Sequence, residues 1–138
     1  MSKFIWTDEY KLGIGIIDEQ HQHFFEIANQ IYDTLETKQG EKEKLVLIIN
    51  ELKDYAFYHL ATEEKYFNQF AYSDMANHMK YHTMFRVRVG EYIDRIKEAD
   101  VDIAKLAEDV TDFATNWLSN HILSADKMYA PFFKEKGL

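Results

Sequence analysis

Residues 41–70, "EKEKLVLIINELKDYAFYHLATEEKYFNQF", run for 30 positions without a proline or a glycine. Because those residues are the usual helix breakers, the stretch favours one uninterrupted helix of roughly 40 Å. Its apolar side chains recur at steps of three and four residues, as one face of an α-helix requires. This face comprises Leu45, Ile48, Ile49, Leu52 and Ala56, and His59 and Glu63 continue it. The stretch therefore predicts a long amphipathic helix whose core face becomes polar near one end.

The same periodicity predicts three further helices, over about 19–37, 75–98 and 102–121. Asp18 and Asp74 precede the first and third of these segments and are candidate N-caps. Helices of comparable length joined by short loops pack as antiparallel neighbours. The predicted fold is therefore all-α, an up-down-up-down antiparallel four-helix bundle.

The ends of the chain differ from the predicted helices. Residues 1–17 show no helical period, so they predict an extended N-terminal arm that packs its aromatic side chains on the body of the protein. A short C-terminal segment is expected over 124–135, and Gly40 marks the turn between the first two helices. Without an internal repeat or linker, residues 1–138 are expected to form a single domain.

Composition narrows the possible functions. The chain carries 24 acidic against 16 basic residues, a formal net charge of −8, which argues against a nucleic-acid partner. It contains no cysteine, so any metal ion must be held by nitrogen and oxygen atoms. No apolar run is long enough for a signal peptide or a membrane span, so we expect a cytoplasmic protein without membrane insertion.

Histidine and carboxylate pairs occupy the predicted helices. His78 and His82 lie four residues apart, so their side chains point the same way and can grip one metal ion. One such pair arises by chance in roughly a quarter of chains with this histidine content, and alone it would also suit zinc. A second pair at the same spacing, His59 and Glu63, strengthens the metal interpretation, because an unpaired carboxylate on a core face is costly. The adjacent Glu64 is expected to be a solvated surface residue.

The first and last helices supply further candidates. His21 precedes Phe24, Phe25 and Ala28 at helical steps and is expected to face inward, whereas His23 is expected at the surface or behind the ligands.

His121 and Asp126 are five residues apart, which leaves them about 140° apart on an ideal α-helix. For both to reach one site, the helix must end, tighten or bulge between them.

These residues resemble the hemerythrin family, specifically its single-domain bacterial or archaeal members. The resemblance runs from Trp6 and "GIGIIDEQH" (13–21), through "HLATE" (59–63) and "HMKYH" (78–82), to "WLSNHILSADKMYAP" (117–131). It implies a centre of two non-haem iron ions with a bridging oxo or hydroxo group. By this resemblance Glu63 and Asp126 bridge both ions, His78, His82 and His121 bind one, and His21 and His59 bind the other.

The same resemblance implies reversible dioxygen binding rather than catalysis. The iron with two histidines is one ligand short, and there dioxygen would bind end-on and be held as hydroperoxide. Expected walls of the oxygen pocket are Phe25, Leu60, Trp117, Leu118 and Ile122. Family members often carry an aromatic residue at the position of Leu60, and the smaller side chain is expected to widen access. The role implied is an oxygen carrier, store or delivery module, with an unidentified protein as a possible recipient.

Two other functions stay open. A di-iron oxidase or peroxidase of the ferritin-like kind would use Glu-x-x-His repeats and more carboxylates, which this chain does not supply. A module that senses oxygen, nitric oxide or iron would use the same site and is expected to carry an output domain. The acceptors that orient the ligand histidines are not identified by the sequence, although Gln20 and Asp74 are candidates.

Overall fold

The computed structural model describes residues 5–37 and 41–138, except for the side chains of residues 34–37 and 41. The helices are α1 (Gly15–Thr37), α2 (Glu41–Phe70), α3 (Met75–Ile96), α4 (Ile103–Asn120) and α5 (Lys127–Glu135). A π-helical turn, His121–Asp126, joins α4 to α5, and no strand occurs in the described part of the chain. The predicted turn at Gly40 and the first four residues of the arm lie outside the described residues.

The four long helices form the predicted bundle. Helix α1 packs against α2 and α4, and α3 packs against α2 and α4, while α2 and α4 also touch across the core. The core is built from the predicted apolar faces: Leu45, Ile49, Leu52 and Ala56 of α2 are at most 1% exposed. The predicted all-α, four-helix class is confirmed. No helix in the described ranges is long and apolar enough to cross a bilayer.

The N-terminal segment differs from the predicted extended arm. It contains a 3₁₀ turn over Asp8–Tyr10, and α1 begins at Gly15, four residues earlier than predicted. Asp18 therefore lies inside the first turn of α1 and is not its N-cap. Its carboxylate instead accepts hydrogen bonds from the backbone N–H groups of Leu12 (2.8 Å) and Gly13 (3.1 Å). Gly13 has a φ of +82°, which turns the chain so that these groups converge on Asp18.

The remaining helix ends differ less. Helix α3 ends at Ile96, two residues before the predicted end. Asp74 occupies the N-cap position of α3 without making a side-chain cap and accepts a hydrogen bond from the Asn77 amide instead. The expected break after residue 121 and the separate segment 124–135 are replaced by one helix that continues through the π turn into α5.

Helix α2 ends in a left-handed residue that is not glycine. Ala71 has a φ of +53°, and the Tyr72 N–H reaches back to the Phe67 carbonyl at 3.0 Å, as in a Schellman motif. An alanine in this conformation carries a steric cost that glycine avoids.

Ala71→Gly should raise the free energy of unfolding by about 0.5 to 1 kcal/mol, since relief of that strain exceeds the extra entropy of the unfolded chain. Urea unfolding of the metal-free protein measures the change as a shifted midpoint at constant slope. The matched control is Ala61→Gly in the exposed middle of α2, which should cost about 1 kcal/mol. Destabilisation by both substitutions would contradict the assigned strain at Ala71.

Candidate metal centre

All seven residues predicted as metal ligands converge in the interior of the bundle. Helices α1, α2 and α3 and the π turn that follows α4 each contribute at least one of them, and none is more than 5% exposed. They are His21 on α1, His59 and Glu63 on α2, His78 and His82 on α3, and His121 and Asp126 in the π turn. Buried polar side chains in such a cluster need partners, and here the partners are mainly one another.

Potential ligand atoms form two groups that share one carboxylate. Glu63 lies with His78, His82 and His121 in the first group, and the atoms of this group are all within 4.8 Å of one another. Glu63 also lies with His21, His59 and Asp126 in a second group that meets the same limit. The arrangement is that of two adjacent metal positions with three histidines around one and two around the other.

Asp126 faces both positions through different oxygens. Its Oδ1 lies 3.1 Å from His78 Nε2 and 2.9 Å from His121 Nε2. Its Oδ2 lies 3.0 Å from His21 Nε2. One carboxylate oxygen therefore points toward each group.

Glu63 spans the groups differently. Its Oε1 lies 3.3 Å from His59 Nε2 and 3.2 Å from His82 Nε2, between one histidine of each group. Its Oε2 accepts a short hydrogen bond from the Tyr129 hydroxyl, and Tyr129 is fully buried. Sequence reasoning missed Tyr129, although it lies three residues after Asp126 in a segment of helical pattern.

The donor set fits metal ions better than it fits hydrogen bonds. Within the described residues, the Nε2 atoms of His21, His78, His82 and His121, Oε1 of Glu63 and both Asp126 oxygens have no partner in hydrogen-bond geometry. Yet these atoms lie about 3 Å apart, which is the separation of adjacent ligands around an octahedral ion bound at about 2.1 Å. Nitrogen and carboxylate oxygen together suit first-row metals such as iron. The residues present therefore fit a pair of iron ions.

The π turn explains how His121 and Asp126 reach the same site. In a π turn, residues five apart are hydrogen-bonded partners and lie on the same side of the helix, which an ordinary α-helix does not allow. His121 and Asp126 occupy the first and last positions of this turn and are both buried. Of the three possibilities that the sequence left open, the structure contains the bulge.

Charge interactions maintain the ionised carboxylates. Burial disfavours their charged forms, but the neighbouring histidines outweigh it and hold the pKa values of Glu63 and Asp126 well below their usual range. Burial lowers the pKa of His59, which favours the neutral ring that a metal ion requires. Burial and the nearby Glu63 raise the pKa of Tyr129 well above its usual value, so it remains a hydrogen-bond donor.

Two of the predicted ligand histidines are oriented by hydrogen-bond acceptors. His59 Nδ1 donates to Gln20 Oε1 at 2.6 Å. Of the two acceptors suggested by the sequence, Gln20 therefore binds a predicted ligand histidine, whereas Asp74 binds Asn77. His82 Nδ1 donates to Glu64 Oε2 at 2.8 Å, and Arg86 holds both oxygens of that carboxylate at 2.9 and 3.1 Å. In both rings the hydrogen bond leaves Nε2 directed into the site.

The expected solvated position of Glu64 is wrong. Its side chain is only 19% exposed, because α3 packs His82 and Arg86 over it. The sequence gives no sign of this, since Glu64 falls beside the apolar face of α2 and its partners come from another helix. His23 agrees better with expectation: it is 39% exposed and contacts Glu26 and Glu51 at the surface.

Glu64→Ala should weaken metal binding at the three-histidine position by about 10- to 100-fold, the usual cost of losing a carboxylate behind a ligand histidine. Glu64→Gln retains an acceptor for His82 without the charge. Its metal affinity should therefore lie between those of the parent chain and the Glu64→Ala protein. Titration of the metal-free protein with a divalent metal ion under anaerobic conditions measures the affinity of each position. Glu91→Ala removes an exposed carboxylate of α3 paired with Arg88 and should change nothing. Equal losses at both metal positions would contradict a local role.

Four of the five residues expected to line the oxygen pocket are buried in the core of the bundle. Phe25, Leu60, Leu118 and Ile122 are 0 to 4% exposed. Leu60 is completely buried, and wider access through this position stays a prediction. Trp117 is only partly buried and stacks on His121, with ring centroids 4.3 Å apart and planes 15° apart. It therefore lies against one histidine of the three-histidine group.

Fold and site together define a class: a four-helix bundle whose interior holds two adjacent metal positions in a shell of five histidines and two carboxylates. Residues 12–133 match the family model described as the hemerythrin HHE cation binding domain. The chain therefore belongs to the hemerythrin family, and a di-iron centre is the cofactor of that family.

Individual relatives cover nearly the whole chain. A bacteriohemerythrin of Clostridium acetobutylicum is 38% identical over 91% of this chain and 98% of its own length. One of Methylococcus capsulatus is 32% identical over 95% of this chain and 97% of its own length. A crystal structure of wild-type hemerythrin superposes with a TM-score of 0.82 at 29% identity, over 94% of this chain and 97% of that chain.

Proposed function

We propose that this chain binds dioxygen reversibly at a di-iron centre and acts as an oxygen carrier, store or delivery module. The observation that carries the proposal is the unequal division of histidines around shared carboxylates. Three histidines serve one metal position and two serve the other. When bound, the iron pair supplies the electrons and the open coordination position that reversible dioxygen binding requires.

In this proposal the ligands are divided as the groups suggest. His78, His82 and His121 would hold one ion, His21 and His59 would hold the other, and Glu63 and Asp126 would serve both. With both carboxylates shared, the first ion would have one more protein ligand than the second. The open position then lies on the His21 and His59 side of the centre.

The chain's own residues exclude water from the pocket and hold the ligand side chains in place. Phe25, Leu60, Leu118 and Ile122 are proposed to line the pocket and exclude water, which would otherwise promote irreversible oxidation. Gln20 keeps the His59 ring in place. Tyr129 holds one oxygen of Glu63 and restricts the rotation of that carboxylate.

Binding is favoured over catalysis by the donor set. In the described ranges, five histidines and two carboxylates face the metal positions, whereas ferritin-like oxidases draw mainly on carboxylates. The names of the relatives, bacteriohemerythrins, support the same function. A cytoplasmic location and a protein that receives the oxygen both stay predictions.

The test follows visible absorption while oxygen is added and removed. Metal-free protein is loaded anaerobically with ferrous iron, exposed to air and then flushed with argon. We expect a visible charge-transfer band to appear in air and to disappear under argon over repeated cycles. Zinc-loaded protein is the control and should stay colourless. Irreversible bleaching with turnover of an added reducing substrate would favour the oxidase alternative, and the absence of any band would overturn the proposal.

A further inference from the structure

The two shared carboxylates do not use their four oxygen atoms alike. Among the described residues, Glu63 Oε1 and both oxygens of Asp126 have no partner in hydrogen-bond geometry. Each of these three atoms lies 2.9 to 3.3 Å from the Nε2 atom of at least one predicted ligand histidine. The fourth atom, Glu63 Oε2, accepts the hydrogen bond of the Tyr129 hydroxyl. One carboxylate oxygen is therefore held by a side chain that is not a predicted metal ligand.

The Tyr129 ring is fixed by its surroundings. It is 0% exposed and stacks on Phe133, with ring centroids 4.3 Å apart and planes 27° apart. The edge-to-face contact with Phe67 has a centroid distance of 5.5 Å. Because a ring packed by aromatic neighbours has little freedom to turn, its hydroxyl is presented to Glu63 at a defined place.

Tyr129 comes from the same short segment as Asp126. Asp126 ends the π turn, and Tyr129 follows it by three residues in the first turn of α5. Residues three apart on an α-helix lie on neighbouring parts of one face. One segment thus supplies a shared carboxylate directly and holds the other, Glu63 of α2, through a hydrogen bond.

The position of Glu63 needs such support because the two carboxylates repel each other. Glu63 and Asp126 are both 0% exposed, and a ligand oxygen of one lies within 4.8 Å of a ligand oxygen of the other. Like charges at this distance repel more strongly in a protein interior than in water. A hydrogen bond to an ionised carboxylate is about twice as strong as one between neutral groups. The Tyr129 hydroxyl therefore opposes rotation of Glu63 away from the metal positions.

We propose that Tyr129 is a positioning residue for both metal positions: before any ion binds, its hydroxyl sets the rotation of Glu63 so that Oε1 faces both groups of histidines. Glu63 belongs to both groups of ligand atoms. Loss of the Tyr129 hydroxyl should therefore weaken both positions, whereas Glu64, which supports His82, serves one of them. This inference rests on the metal centre of the proposed function.

Tyr129→Phe removes the hydroxyl and keeps the ring. Anaerobic titration of the metal-free protein with cobalt(II) measures the affinity of each position. We expect both affinities to fall by about 10- to 100-fold, the usual effect of losing a hydrogen bond behind a metal ligand. Unchanged affinities, or a loss confined to one position, would overturn the proposal.

Tyr92→Phe is the matched control. Tyr92 is also buried, at 4% exposed, and its hydroxyl donates to the Asp109 carbonyl at 3.5 Å. It follows His82 on α3 by about 15 Å of helix, so it lies well away from the metal positions. The control should bind cobalt(II) as tightly as the parent chain. An equal loss of affinity in both variants would contradict a specific role for Tyr129.

The visible spectrum of cobalt(II) separates positioning from a general loss of stability, because its bands report the geometry of the ligands. At saturating cobalt, the Tyr129→Phe protein should have bands that differ in position and intensity from those of the parent chain. A variant that had only lost stability would bind more weakly and still reach the parent spectrum. Identical spectra at saturation would therefore overturn the proposal.

A measurement on the parent chain keeps the proposal testable if Tyr129→Phe does not fold. In the metal-free protein, the Tyr129 hydroxyl proton should give an NMR signal that exchanges slowly with water, whereas that of Tyr58, 57% exposed, should exchange rapidly. Rapid exchange at Tyr129 would overturn the proposal.

All of these measurements are made without oxygen. A parent chain that binds fewer than two cobalt ions would overturn the metal centre itself, and this inference with it. Normal binding in both the parent and Tyr129→Phe would overturn the role of Tyr129 alone.

Discussion

Glu63→Gln should leave the bundle folded but reduce the bound iron from two ions per chain to one or none. Among the described residues, Glu63 alone has a carboxylate that belongs to both groups of ligand atoms. The substitution keeps the size of the side chain and removes the negative charge that offsets two metal cations. Metal analysis after anaerobic loading measures the loss, and circular dichroism of the metal-free protein checks the fold.

Asp54→Asn is the matched control for this substitution. It makes the same kind of change on α2 at a side chain that is 74% exposed and pairs with Lys53 at the surface. The control should bind as much iron as the parent chain. Two tightly bound ions in the Glu63→Gln protein would refute the bridging assignment.

Phe67→Ala should lower the free energy of unfolding by about 3 to 5 kcal/mol, the usual cost of removing a buried phenyl ring. Phe67 is 0% exposed and contacts the rings of His78, Tyr129 and Phe133 at 4.8 to 5.6 Å. It therefore fills the space between the ligand histidines of α3 and the helix that follows the π turn. Urea unfolding of the metal-free chain measures the effect without a contribution from metal binding.

Phe57→Ala tests whether burial causes that loss. Phe57 lies on the same helix but is 37% exposed and has Arg86 over its ring. We expect the control to cost about 1 kcal/mol or less, because little apolar surface is returned to water. Comparable losses from the two substitutions would contradict the central packing position assigned to Phe67.

The inward side chains were predictable wherever helical periodicity continued without interruption. On α2 the apolar face that begins at Leu45 leads directly to His59 and Glu63, and both are buried. The start of α1 was less predictable, because Asp18 has the sequence signature of a cap while its carboxylate binds the N–H groups of the preceding loop. A capping side chain and a loop-binding side chain in the first turn carry the same residue type, so the pattern does not separate them.

Residues behind the ligands were harder to predict than the ligands themselves. Glu64 binds His82 and Arg86, and Tyr129 binds Glu63, and both contacts join different helices. The periodicity of one helix contains no information about which side chain of a neighbour lies opposite. Such contacts depend on the rotation and register of the packed pair.

By itself, the sequence determined that this protein is an all-α bundle with a histidine-rich interior, because hydrophobic period and the spacing of paired ligands are local properties of each helix. Only the tertiary structure decided that His121 and Asp126 meet through a π turn, that Glu64 is mostly buried behind His82, and that Trp117 stacks on His121. Those outcomes depend on how helices are rotated against one another and on where one of them takes up an extra residue. Both are settled by packing across the whole bundle.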